Sequence, residues 1–202
     1  MFIRRKLKSL ENIVRTEEVR YYFVALLLLF FIALVFGFVS AELLPESNQD
    51  IAEKISEALE PFAEFSLSEL FVFILVNNVV TTLGAMLFGI FFGIIPVLIV
   101  LINGYVIGAL ASVLAPNIDI FVLLAGTIPH GIIEIPAALL ASSYGIFLGE
   151  KFMRKLKTRQ YIKPHLRTAT AGYWLVVFPL LIISAFIEVF VTSSILEALV
   201  LK

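Results

Sequence analysis

Cysteine is absent from this chain of 202 residues, and histidine occurs only twice, at His130 and His165. Disulfides, thiolate nucleophiles and cysteine-based zinc sites are therefore excluded, and any all-protein metal site would depend mainly on carboxylates. Charge is scarce too: 15% of residues are charged, against about a quarter in soluble domains. From Leu70 to Leu114 there is no charged residue at all. Also missing are a His-Glu-x-x-His zinc motif, a serine-histidine arrangement in related segments and a glycine-rich phosphate loop. No enzymatic activity is expected on that basis.

What is present is hydrophobic: 60% of the chain, with a mean hydropathy of +1.02. That balance implies an all-α transmembrane helix bundle in one integral membrane domain, residues 1–202. Residues 1–20 carry Arg4, Arg5, Lys6, Lys8, Arg15 and Arg20, with Leu7, Leu10 and Val14 at helical spacing. This reads as a basic amphipathic, interfacial segment at an anionic inner leaflet. Residues 22–39 form the first span and read as an uncleaved anchor. Residues 42–66 switch to Glu42, Glu46, Asp50, Glu53, Glu57, Glu60 and Glu64 around a single Lys54. An acidic amphipathic helix outside the membrane fits, ended by Pro61, with Ser66-x-x-Glu69 as a capping box for the next span.

The charge-free stretch from Leu70 to Leu114 is too long for one crossing at about 1.5 Å per residue. It divides into spans at 70–90 and 95–114, with the turn near Gly93 and Pro96. A fourth span at 121–148 must tilt or break. Residues 151–167 are then purely basic, and 171–195 form the fifth span. Basic residues mark the cytoplasmic side. Five spans place both basic clusters inside, with a cytoplasmic N-terminus and an extracytoplasmic C-terminus.

The polar residues at membrane depth carry the functional question. On a helical wheel of the fourth span, Thr127, His130, Glu134, Ala137, Ala138, Ala141 and Gly145 share a small, polar face. Ile128, Ile132, Ile135, Leu139 and Ile146 point away and are expected to meet lipid. An ionised carboxylate at mid-bilayer costs roughly 3 kcal/mol even on the lenient insertion scale, so Glu134 is expected to be largely neutral and bonded to His130 one turn earlier or to an amide from another span. Asn77 and Asn78 fall near the middle of the second span. Asn103 falls near the middle of the third, beside the close-packing pair Gly104 and Gly108. His130, Glu134, Asn77, Asn78 and Asn103 thus make a candidate midplane polar site, with Glu188 and Thr127 secondary. Glu188 lies off-centre on the fifth span, at a different depth from His130. Helix packing is expected at Gly104, Gly108, Ala141 and Gly145. These groups either bind an ion, proton or small polar ligand, or serve as interhelical glue worth about 0.6 kcal/mol per contact. No metal and no cofactor is expected.

The stretch TIPHGIIEIPAALLAS, from Thr127 to Ser142, resembles the proline-histidine-glycine, glutamate, proline-alanine signature of the stage II sporulation protein M family. The paired asparagines of the second span and the Asn103-Gly104 pair of the third are similar as well, so the likeness runs from about residue 70 to 195. It implies a five-span fold. In spore formers it implies a membrane role in the complex that remodels septal peptidoglycan during engulfment, where partners carry the hydrolase activities and this member is the scaffold. The expected partners are the bilayer and other membrane or envelope proteins, a second copy of the chain among them, and no nucleic acid. The competing class is a small-solute, ion or proton transporter or channel component. Against it, no internal repeat of the usual transporter kind is present.

Overall fold

Apolar sequence in a medium without water must bond its backbone internally, and among the described residues it does so through helices. The computed structural model describes residues 17–43, 64–116, 118–158 and 161–195. Among them are α1 (Glu17–Leu43), α2 (Leu67–Leu87), α3 (Ile94–Leu114), α4 (Ile120–Thr158) and α5 (Lys163–Ile195), and no strand. All five are long and apolar enough to cross a membrane. Most of the basic segment at 1–20 and of the acidic helix at 42–66 lies outside the described residues.

The helix boundaries have local causes. Ser66 caps α2 through the expected box: its hydroxyl accepts from the Glu69 backbone N–H, and the Glu69 carboxylate accepts from the Ser66 N–H at 2.8 Å. The α2–α3 connection is a 3₁₀ turn at Phe88–Ile90 followed by two residues in the left-handed region, Phe92 (φ 58°) and Gly93 (φ 71°). Gly93 suits that conformation without steric cost, and α3 restarts at once with Pro96 in its first turn. The fourth span, expected to tilt or break, stays one continuous helix of 39 residues through Pro129 and Pro136. At about 1.5 Å per residue it is roughly 58 Å long, so it projects well beyond a hydrocarbon core of about 30 Å. In α5 the α-helix is interrupted by π-helical turns at Tyr173–Val177 and Ile187–Thr192.

Chain direction alternates from helix to helix. Contacts of Gly104 with Phe30, Gly108 with Leu34 and Ser112 with Glu42 make α1 and α3 parallel. Those of Gly145 with Ala85 and Gly149 with Gly89 make α2 and α4 parallel. The Lys151–Glu18 ion pair joins the end of α4 to the start of α1, so these two are antiparallel. Five successive crossings satisfy all of these directions.

Helix α4 is the hub and touches each of the other four. Its Tyr144, Phe147 and Leu148 pack with Tyr173, Val177 and Leu181 of α5, Val19 of α1 and Met86 of α2. A second cluster joins Leu139 of α4 to Leu26 and Phe30 of α1 and Val100 of α3. Leu139 therefore does not meet lipid, as the wheel suggests, but is 1% exposed. A single polar face is the wrong picture for a helix enclosed on several sides, and Ile135 and Ile146 also pack partly against this second cluster. Ile128 and Ile132 are exposed as expected.

The small residues mark the closest approaches. A methyl group at Gly108 would strike the Leu34 carbonyl, and one at Gly145 the Ala85 carbonyl; Gly104 meets the Phe30 carbonyl and Ala33. Ala141 is fully buried. At the end where α1 begins and α4 finishes, Lys151 reaches Glu18 at 2.6 Å and lies 4.0 Å from Glu150. Glu150 also accepts from Tyr22 at 2.5 Å and pairs with Arg154 at 2.5 Å. This network was not foreseen from the sequence.

Candidate functional site

Several of the polar residues expected at membrane depth gather into one region at the meeting of all five helices. A small cavity of about 80 Å³ is walled by Asn77, Asn78, Thr81 and Thr82 from α2, Asn103 from α3, and Glu134 and Ser142 from α4. Phe30 of α1 and Leu181 of α5 close it with apolar surface. Asn77 and Asn103 are exposed, so the cavity has an amide-bearing rim on the outer surface of the bundle between α2 and α3. These two helices touch less than α1 and α3 or α2 and α4 do, which leaves the opening.

Hydrogen bonding is uneven around it. Thr82 donates to the Asn78 carbonyl at 2.6 Å and lies 3.0 Å from the Tyr173 hydroxyl of α5. Asn103 donates to the Ile99 carbonyl of its own helix at 2.7 Å, and Asn77 reaches Asn78 Oδ1 only at 3.5 Å. The side chain of Asn78 lies beside the Glu134 carboxyl, yet its Nδ2 is buried with no well-aligned partner. Ser142, 1% exposed and facing the cavity, likewise has no partner for its hydroxyl. Buried polar groups are rarely left this way, and each such exception calls for a physical reason.

On its other side Glu134 belongs to a second group. One donor atom each from His130, Glu134 and Glu188 lie within 4.8 Å of one another. His130 Nδ1 is buried without a hydrogen-bond partner. Glu188 is thus not at a different depth from His130. Counting residues from the span ends misplaces depth in α4, a helix of 39 residues that is longer than a single crossing needs. The π-helical turns of α5 also rotate everything after them relative to a 3.6-residue wheel, which hid the direction of Glu188. Thr127 stays apart: it is exposed and donates to the Leu123 carbonyl of its own helix at 3.0 Å.

Four of the five expected midplane residues therefore line one cavity, and the fifth, His130, meets Glu134 from outside it. Ser142 was missed because a serine between Ala141 and Ser143 in a helix carries no signal of what it faces. The arrangement can hold a proton or a cation between two carboxylates and an imidazole, and can offer amides to a partner at the rim. No acyl-transfer nucleophile with an adjacent base occurs in it.

Among known proteins, residues 26–193 match the family described as Stage II sporulation protein M. An uncharacterized protein of the archaeon Methanocaldococcus jannaschii is 30% identical over 179 residues, which cover 84% of this chain and 92% of that protein. No solved structure matches the chain.

Proposed function

The chain belongs to the stage II sporulation protein M family, and on that premise we propose that this membrane protein acts as a non-catalytic scaffold, an assembly component of an envelope- or membrane-remodelling complex. The observation that carries the proposal is the exposed rim of the polar cavity. Asn77 and Asn103 turn amides outward from the middle of α2 and α3. Lipid cannot bond to them, whereas a polar side chain on a neighbouring transmembrane helix can. In this reading the N-terminus is cytoplasmic, so that the basic run at 151–167 faces inward. The partner is another membrane or envelope protein or a second copy of the chain.

The test is photo-crosslinking in native membranes, with the reactive group placed singly at Asn77, Asn103 or the exposed Ile132. Protein adducts at Asn77 and Asn103 but not at Ile132 are expected. Lipid adducts alone at all three positions would contradict the proposal. A second reading, a small-solute, ion or proton conductor, draws support from the enclosed part of the cavity and from Glu134 in its wall. It requires flux into liposomes that Glu134→Leu abolishes.

A further inference from the structure

We propose that His130, Glu134 and Glu188 bind one divalent transition-metal cation, clamping α4 to α5. Geometry comes first. The three donor atoms already lie within 4.8 Å of one another. Zinc bonds of 2.0–2.2 Å in a tetrahedral shell put donors about 3.3 Å apart. Closing that gap requires the three side chains to draw together by roughly 1.5 Å.

Charge points the same way. Two carboxylates this close within membrane-spanning helices repel one another, and hydrocarbon disfavours each separately. No lysine or arginine occurs in α4 between Ile120 and Glu150, or in α5 beyond Arg167. A divalent cation with two carboxylates and a neutral imidazole gives a site of zero net charge, which a monovalent ion does not.

Two unpartnered polar atoms supply independent support. His130 Nδ1 is buried without a hydrogen-bond partner, so no bond through that nitrogen holds the ring as a structural imidazole. Asn78 lies beside the Glu134 carboxyl, with its Nδ2 buried and without a well-aligned acceptor, placed to orient that carboxylate. Glu188 itself stands on the π-helical turn Ile187–Thr192. Such turns carry poorer hydrogen bonding than an α-helix and recur at functional sites. The imidazole favours zinc, copper, iron or nickel over calcium or magnesium, which prefer all-oxygen shells.

The experiment uses the full chain, purified in detergent without a polyhistidine tag, stripped with chelator and dialysed against Zn²⁺. Elemental analysis should find one zinc per chain, and zinc should raise the melting temperature followed by Trp174 fluorescence. Single His130→Gln, Glu134→Gln and Glu188→Gln variants that elute as the wild type does should each lose roughly tenfold or more in affinity, and the melting shift with it. Should a variant fail to fold, the wild type loaded with Co²⁺ decides alone, because bound nitrogen and oxygen ligands give visible d–d absorption. A wild type that takes up no zinc and shows no cobalt bands overturns the proposal. So do folded variants that keep zinc as tightly as the wild type.

Discussion

The carboxylates of Glu134 on α4 and Glu188 on α5 approach to within 4.8 Å, with His130 as near to both. Helix–helix contacts in a membrane are usually made by small residues and weak polar bonds. This one joins two acids and an imidazole, so the residues cannot be energetically independent.

The metal-free protein should show that dependence. Glu134→Gln or Glu188→Gln alone removes one member of a repelling pair and should leave the fold intact, since Gln keeps the shape and hydrogen-bonding capacity of the side chain without its charge. The double variant should gain less than the two single effects added together, with a coupling of about 1 kcal/mol. Glu134→Leu instead strands its neighbours and should cost about 1–3 kcal/mol. Urea or thermal unfolding in one detergent measures all four proteins. Strict additivity would mean that the two carboxylates do not interact.

Close backbone contact predicts which glycines tolerate a side chain. Gly108→Ala places its methyl group on the Leu34 carbonyl of α1 and should destabilise by about 1–3 kcal/mol, and Gly108→Leu by more. At Gly84 the same methyl meets nothing nearer than Phe88 at 3.9 Å. Gly84→Ala should therefore be neutral or slightly stabilising. Equal effects at both positions in a thermal melt would contradict the α1–α3 packing.

Leu139 and Ile132 give the matching test for α4. Leu139→Ala opens a hole among Leu26, Phe30 and Val100 and should cost about 2–5 kcal/mol. Ile132, 67% exposed, should tolerate alanine with little change in melting temperature.

Much of this architecture was legible in the sequence, for physical reasons. Helix starts are local: Ser66 and Glu69 bond each other across three residues, so the pattern suffices. The break at Gly93 needs only a residue at ease with positive φ. Close packing at Gly108 and Ala141 follows from size. By contrast, Leu139 depends on α1 arriving on the second side of α4, and the place of Glu188 depends on π turns and helix register. Neither leaves a periodic trace. The Lys151–Glu18 pair joins opposite ends of the chain, and only the fold brings them together.

Orientation is checked by labelling single cysteines, for which the cysteine-free chain is a ready background. Lys8→Cys and Arg159→Cys should be protected from an impermeant reagent added outside, and Glu57→Cys and Lys202→Cys should react. Outside labelling at Arg159→Cys would invert the topology.

The most direct measurement joins α4 to α5 covalently. With the cysteine pair Glu134→Cys and Glu188→Cys, a short bifunctional thiol reagent should link the two positions within one chain in native membranes. Cleavage in the loop between α4 and α5 would then no longer separate the fragments. The control pair Ile132→Cys and Glu188→Cys, whose first member faces outward, should not link. Efficient linking of the control pair, with none between 134 and 188, would contradict the meeting of these helices on which the site rests.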